Sequence, residues 1–205
     1  MTAPQSRLRI ERAAESSGLL RAVDLAVPLY ALAQAERAGV VDRLAPGVYI
    51  GAHVARHPLA EVAAWTIRHP AAVACLLTAA VYHGLTDAFE QGTWLLVPVG
   101  TSPPRSRTSL VRVVQVVPRL VERDHDDELG IEALMVHGVR LRVTGPDRTV
   151  LDLWRYPQLV AGEHALGALR KRVSDPRFRI PAFARLAREL DVWPRIEPVL
   201  QGMIA

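Results

Sequence analysis

The chain has 205 residues and a formal net charge of +4, from 25 basic and 21 acidic side chains, and half of its residues are hydrophobic. This length can bury one sizeable core, or support one small and one medium domain, and the single cysteine, Cys75, excludes an internal disulfide framework and a cysteine-rich zinc cluster. The N-terminus is polar and no apolar run reaches the ~20 residues of a spanning helix, which predicts a cytoplasmic protein without signal peptide or membrane contact.

Residues 1–57 predict a series of short elements. In chain order these are a helix (7–17), a short strand (19–20), one or two helical turns (22–26), a helix (28–38) and two strands (40–44 and 48–50). Pro28 begins the helix at 28–38, Gly39 ends it, and Pro46-Gly47 forms the turn between the strands. This order is typical of a winged helix-turn-helix, which we assign to residues 1–57.

The remainder of the chain predicts mixed α/β structure. The elements are helices at 59–68 and 71–83, strands at 93–99 and 110–117, a hairpin of 132–136 with 139–144, and helices at 146–155, 163–173 and 181–190. The expected fold class is therefore α/β (α+β), with an N-terminal winged helix-turn-helix followed by a mixed α/β domain of residues 58–205.

The helix predicted over 28–38 carries side chains suited to reading DNA. About 100° per residue places Leu29, Leu32 and Ala33 on one face, and Tyr30, Gln34 and Arg37 on a stripe about 100° away. Arginine recognises guanine, glutamine recognises adenine, and tyrosine binds phosphate or packs on a thymine methyl group. The stripe therefore predicts a recognition helix, and an ordinary solvated surface is the alternative interpretation.

Two further arginines are candidates for DNA contacts. Arg21 precedes the first helical turn of the motif and suits a phosphate contact, and Arg43, near the wing, suits a phosphate or an adjacent minor groove. Glu36 argues against DNA binding because phosphate would repel it. The net basic charge weakly favours a nucleic-acid partner.

Signatures of catalysis are weak. The run 123–128 resembles a metal cluster, but contiguous side chains point in different directions, so a solvated loop is expected. Pro146-Asp147 begins like a nuclease motif, which would need an acidic-x-Lys strand soon after it, and the only lysine is Lys171. Cys75 lies in an apolar helix and should be inert. We therefore expect no enzyme, no metal site and no cofactor.

Five segments resemble, in order, the sequence motifs of AbiEi-type antitoxins, the winged helix-turn-helix partners of AbiEii nucleotidyltransferase toxins. They are 43–49 (RLAPGVY), 77–85 (LTAAVYHGL), 94–98 (WLLVP), 138–143 (GVRLRV) and 146–152 (PDRTVLD). The resemblance implies an N-terminal domain that binds repeats in its own promoter DNA and a C-terminal domain that neutralises the toxin. It implies an antitoxin and transcriptional repressor. The alternatives are a protein-binding neutraliser that does not read DNA and a degenerate nuclease-like enzyme; self-association stays open.

Two of these segments contain residues for which we expect a structural role. His83, before Gly84, is predicted to end a helix with its ring satisfied by carbonyl groups. Arg148 and Asp152 are four residues apart on one helix and should pair, while Thr149 should satisfy backbone donors at the helix start.

The C-terminal third is predicted to be a docking surface. Residues 170–195 contain eight basic and three acidic side chains, and such an excess favours an acidic partner. The candidate contact residues are Arg177, Arg179, Arg185 and Arg188. The candidate partners are an acidic face of the toxin, slightly favoured, and phosphates flanking the operator; a merely solvated face is the third interpretation.

Overall fold

The computed structural model describes residues 3–88, 92–106, 110–122 and 126–204. Its contacts divide the chain into two units. Unit 1 comprises Met1–Pro70, Pro104–Leu110 and Met135–Leu141, and unit 2 comprises Ala71–Pro103, Val111–Leu134 and Arg142–Ala205. The described residues form eight α-helices and two sheets, so the predicted α+β class is confirmed.

Unit 1 begins with helices and a small hairpin. Its elements are α1 (Ala3–Ala14), α2 (Leu29–Arg37), β1 (Val41–Ala45), β2 (Val48–Gly51) and α3 (Ala60–Arg68). Strands β1 and β2 are antiparallel, and Gly47 adopts a φ of +76° in the turn between them, as the Pro-Gly pair predicted. The side chain of Arg68 donates to the carbonyl oxygen of Pro46 at 3.3 Å, so α3 contacts this turn.

Local chemistry explains where α2 begins and ends. Pro28 has a φ of −63° and a ψ of 146°, so it precedes the helix, which starts one residue later than predicted. Gly39, with a φ of +71°, ends it. The residues 21–26 form a hydrogen-bonded turn that closes at Ala26, where φ is +48°. The helical turns predicted at 22–26 are therefore reduced to one hydrogen-bonded turn, which precedes the helix predicted at 28–38.

The core of unit 1 joins these elements. Ile10 of α1, Leu32 of α2, Val41 of β1 and Tyr49 of β2 are at most 4% exposed and belong to one cluster. Leu20 pairs with Tyr49 through backbone hydrogen bonds of 2.8 and 2.9 Å, which reduces the predicted strand at 19–20 to a single bridge. Helix α1 also starts earlier and ends earlier than the predicted 7–17.

The second sheet has five strands in the order β5-β4-β3-β7-β6. The strands are β3 (Val73–Ala74), β4 (Thr93–Pro98), β5 (Val111–Val116), β6 (Ile131–Val136) and β7 (Val139–Thr144). Central β3 pairs antiparallel with β4 and parallel with β7, and β4 is parallel to β5. The helices that follow or interrupt the strands are α4 (Leu76–Tyr82), α5 (Pro146–Arg155), α6 (Gly162–Val173), α7 (Ile180–Glu189) and α8 (Trp193–Ile204), with a 3-10 turn at Pro118–Leu120.

The predicted single helix over 71–83 is wrong in its first part. Val73 and Ala74 form the central strand, and only Leu76–Tyr82 is helical. A strand buried on both faces is as uniformly apolar as a buried helix, so hydrophobic spacing cannot separate the two. The change occurs at Leu76, where φ is +46°.

The C-terminal helices belong to the hydrophobic core. Phe183 and Ala187 of α7 and Ile196 of α8 are completely buried in the main cluster of unit 2, which also holds Cys75. A truncation after residue 174 would therefore remove part of this core and not merely a charged surface. Among the described residues, no helix has the length and apolar character needed to cross a membrane.

Candidate functional site

The predicted stripe on α2 is exposed. Tyr30 is 60% exposed, and Gln34 and Arg37 are also exposed. Gln34 and Arg37 make no side-chain hydrogen bond or ion pair with any other residue in the described part of the chain. Their polar groups are therefore available to a ligand without loss of an internal contact.

The apolar face of α2 differs from the prediction. Leu32 is buried as predicted, but the residue buried beside it is Ala31, and Leu29, predicted to lie on the same face as Leu32, is 76% exposed. Helical geometry explains this difference, because Leu29 lies about 110° from the middle of the Ala31–Leu32 pair. Ala33 is partly exposed for the same reason.

One edge of the stripe borders α1. Tyr30 and Gln34 line a cavity of about 210 Å³ between α1 and α2, together with Ile10 and the side chain of Arg7. Arg7 is itself paired with Glu11 at 2.7 Å on the exposed side of α1. The stripe therefore lies at the rim of a groove between two helices.

Arg43 is held within unit 1. It projects from β1, two residues before the strand ends, and its guanidinium donates to Glu36 of α2 at 2.6 Å. The same group lies 5.2 Å from the ring centre of Tyr49 on β2. This bridge compensates the charge of Glu36, the residue that argued against DNA binding, and links α2 to the hairpin. A phosphate contact by Arg43 would compete with Glu36.

Arg21 also has an internal partner. Its guanidinium donates two hydrogen bonds to Asp24, at 2.6 and 2.7 Å, and both side chains are exposed. These hydrogen bonds raise the pKa of Arg21 and lower the pKa of Asp24. Arg21 therefore keeps its positive charge at the surface, with its fork occupied by a carboxylate.

The predicted pair of Arg148 and Asp152 is confirmed and completely buried. Arg148 Nε donates to Asp152 at 2.9 Å, and both side chains are 0% exposed. Arg148 also donates to the carbonyl oxygen of Leu129 at 2.9 Å, and Arg155 lies 3.4 Å from the second oxygen of Asp152. The pair thus joins α5 to the segment that precedes β6.

Thr149 has a different role from the predicted one. Its hydroxyl donates to the carbonyl oxygen of Thr144 at 2.9 Å, so it satisfies an acceptor at the end of β7 and not the donors at the helix start. His83 Nε2 lies 2.8 Å from the same carbonyl oxygen, which confirms that a carbonyl satisfies this ring. Gly84 follows with a φ of +68° and ends α4. These residues connect α4, β7 and α5.

The four candidate arginines of the C-terminal third are exposed. Arg177 pairs with Asp175 at 3.0 Å, and these hydrogen bonds lower the pKa of Asp175 to about 2. Arg179 donates to the carbonyl oxygens of residues 176 and 178. Arg188 lies 4.8 Å from the ring centre of Trp193, and Arg185 has no ion pair with a described residue.

The local charge excess is smaller than the sequence suggested. Arg172 is 9% exposed and pairs with Asp147 at 2.5 Å, and Lys171 pairs with Asp87 at 2.9 Å. Both acids lie outside residues 170–195, so the sequence count did not include them. Among the four candidate arginines, Arg179, Arg185 and Arg188 form no ion pair with a carboxylate of the described residues.

The described part of the chain shows where the weak catalytic signatures of the sequence lie. No group of three or more His, Cys, Asp or Glu side chains there could hold a metal ion. Of the run 123–128, residues 123–125 lie outside the described residues, and Asp126 accepts a 2.9 Å hydrogen bond from the buried Arg142. Cys75 immediately precedes α4, and burial raises its pKa well above the ordinary value.

A family model described as the AbiEi antitoxin C-terminal domain matches residues 72–194, more than half of the chain. The chain belongs to the AbiEi antitoxin family. The resemblance noted in the sequence is thereby confirmed, and the matched residues include the buried Arg148–Asp152 pair and the arginines of α7. No curated protein matches the antitoxin.

A solved structure shows a similar fold. The crystal structure of the Rv2827c protein from Mycobacterium tuberculosis aligns with a TM-score of 0.64 and 17% sequence identity. The alignment covers 96% of the antitoxin and 75% of that chain. At this identity the likeness establishes the fold alone.

Proposed function

We propose that the antitoxin binds promoter DNA of its own operon through residues 1–57 and neutralises a nucleotidyltransferase toxin through residues 58–205. The observation that carries the DNA-binding half is the exposed stripe on α2, followed by the hairpin β1–β2 in the order of a winged helix-turn-helix. Gln34 and Arg37 there have no internal partner among the described residues. In this proposal α2 is the recognition helix.

The three side chains of the stripe suit the major groove. The fork of Arg37 matches the two acceptors of guanine, and the amide of Gln34 matches the donor and acceptor of adenine. Tyr30, near the start of α2, can donate to phosphate. Arg43 supports this surface by compensating Glu36, which would otherwise repel the phosphates. Arg21 would bind a phosphate only by exchanging its partner Asp24 for it.

Gln34→Ala and Arg37→Ala should each weaken specific DNA binding by about 1–3 kcal/mol, because each removes a bidentate base contact. The measurement is fluorescence anisotropy with a duplex from the region upstream of the antitoxin gene, over a series of salt concentrations. Arg170→Ala is the matched control for Arg37→Ala, since it removes one exposed arginine of unit 2 and changes the net charge equally.

A scrambled duplex separates base reading from charge. The two α2 variants should lose most of their preference for the upstream duplex, whereas Arg170→Ala should keep it. If both α2 variants bind the upstream duplex with wild-type affinity, the proposal that α2 lies in the major groove is wrong. If the wild-type antitoxin binds the upstream and scrambled duplexes equally, the remaining interpretation is a protein-binding neutraliser that does not read DNA.

The arginines of α7 support the toxin-binding half. Arg185 and Arg188 lie three residues apart on the exposed side of a helix whose other side is in the core. Arginine is enriched at protein interfaces because its planar group stacks and forms paired hydrogen bonds. With Arg177 and Arg179, earlier in the same region, they supply the exposed cations that an acidic face on the toxin would need.

Reversal of both charges, Arg185→Glu with Arg188→Glu, should slow association with the toxin by about tenfold at low salt, because it removes electrostatic attraction. Stopped-flow or surface plasmon resonance measures the rate. Arg9→Glu with Arg12→Glu on α1 is the matched control, because it changes the net charge equally in unit 1. Equal association rates for the two double variants would show that the α7 surface is only solvated.

A further inference from the structure

Two large apolar side chains are exposed at the start of α2. Leu29, its first residue, is 76% exposed, and Tyr30 beside it is 60% exposed. Single exposed leucines are common on protein surfaces. These two are adjacent, however, and they occupy the end of the helix from which recognition helices contact base edges.

Helical geometry joins them to the candidate base-reading residues. With about 100° per residue and Leu29 as origin, Ala33 lies at about 40°, Arg37 at about 80° and Tyr30 at about 100°. The two buried residues, Ala31 at about 200° and Leu32 at about 300°, are 7% and 1% exposed. The outward face of α2 is therefore one continuous surface, with an aliphatic edge, a cation in the middle and an aromatic ring.

The chemistry of this outward face of α2 distinguishes between possible binding partners. The guanidinium of Arg37 needs an acceptor or an anion, and the aliphatic edge, which begins about 12 Å away along the helix at Leu29, needs methyl groups on the same surface. The major groove offers both, since guanine presents O6 and N7 while thymine presents a C5-methyl group. A second copy of the antitoxin fits less well, because a two-fold contact through this face would place Arg37 near its own copy.

We propose that Leu29 and Ala33 contact thymine methyl groups, so that α2 reads thymine in the same groove as the base that Arg37 reads. This inference rests on the proposed DNA binding and adds a specificity that polar side chains alone would not give. Leu29 is the main determinant of this thymine preference. Its side chain is larger than that of Ala33, it projects from the first turn of α2, and it is 76% exposed.

The test compares two duplexes of identical sequence from the region upstream of the antitoxin gene, one made with thymine and one with uracil. Uracil lacks only the methyl group, so hydrogen bonding is unchanged. The wild-type antitoxin should bind the thymine duplex more tightly by about fourfold for each methyl group buried, the factor expected from ~0.8 kcal/mol per buried carbon group. Anisotropy titration measures both affinities.

Leu29→Ala should bind the thymine duplex more weakly and lower the thymine-to-uracil ratio towards one. Leu8→Ala is the control, since Leu8 is 63% exposed on α1 and should leave the ratio unchanged. The comparison between variants removes any effect of uracil on the shape of the duplex itself.

The outcomes separate this inference from the proposed function. Tight and equal binding of wild type to both duplexes would overturn the thymine contact and leave the proposed DNA binding intact. An unchanged ratio in Leu29→Ala, or a loss of self-association in that variant with no change in ratio, would assign Leu29 another role and overturn the inference. Absence of binding to either duplex would overturn both proposals.

Discussion

Replacing Asp152 by alanine is expected to lower the free energy of unfolding of the antitoxin by about 3–5 kcal/mol. Asp152 and Arg148 are both completely buried, so the variant would leave a guanidinium charge without its carboxylate in the core of unit 2. The carbonyl of Leu129 would still accept from Arg148, but a neutral acceptor compensates the charge only in part. Urea unfolding followed by circular dichroism measures the change.

Two further variants show whether burial causes the loss. Asp87→Ala removes a carboxylate that is 93% exposed and paired with Lys171, and it should leave stability nearly unchanged. Replacement of the buried pair by apolar residues, Arg148→Met with Asp152→Leu, should recover much of the stability lost in Asp152→Ala. If Asp152→Ala folds as well as wild type but no longer neutralises the toxin, the pair belongs to the toxin interface and its structural role is wrong.

Gly51→Ala should lower the free energy of unfolding of unit 1 by about 1–3 kcal/mol or more, which is the usual cost of forcing an extra carbon into a packed core. A β-carbon at this position of β2 would lie 2.0 Å from the backbone oxygen of Ala14, at the end of α1, and 3.1 Å from the side chain of Val54. A backbone atom cannot turn aside as a side chain can, so α1 would have to shift. Because Ile10 and Ala14 of α1 are each 1% exposed in the core, the shift would disturb the packing that also holds α2.

Gly167→Ala is the matched control for this substitution. Gly167 lies in the middle of α6, and beyond the backbone of that helix and its two chain neighbours its β-carbon would meet no described atom within 4 Å. Alanine favours helix over glycine by roughly 0.5–1 kcal/mol, so this variant should be slightly more stable than wild type. The two glycine variants should therefore change the unfolding midpoint in opposite directions. An unchanged midpoint in Gly51→Ala would show that α1 does not lie against β2.

The sequence predicted best those elements whose ends have their own chemical signals. Helix α5 was predicted with its observed bounds, because Pro146 fits the first turn of a helix and apolar residues follow at helical spacing. The hairpin of β6 and β7 was found through His137-Gly138, and both of these residues adopt a positive φ in the turn. Local preference and tertiary structure agree at these positions.

Elements defined by tertiary contacts were harder to predict. Strand β3 has only two residues and exists because β4 and β7 pair with it, which no local pattern shows. Helix α8 was not predicted, and it contains Pro198, which normally argues against a helix interior. Its residues Ile196 and Leu200 are buried, so packing against the core offsets this preference.

The candidate site was predicted only in part, because some of its features depend on helical spacing and others on tertiary contacts. Helical spacing was enough to place Tyr30, Gln34 and Arg37 on the outside of α2, where the structure exposes them. The exposure of Leu29 depends on where the rest of the core lies, although the helical wheel placed it at the edge of the apolar face. The bridge of Glu36 with Arg43 joins a helix to a strand and has no signature in the sequence.

The complete burial of Cys75, the only thiol of the chain, makes chemical labelling a measure of how often unit 2 opens. Burial keeps this thiol protonated, so a thiol-specific reagent should not modify the closed protein. The labelling rate relative to an unprotected thiol then gives the opening equilibrium around β3 and α4. Mass spectrometry identifies the labelled chain in a mixture, so the same native residue can report whether an added binding partner changes the opening of unit 2.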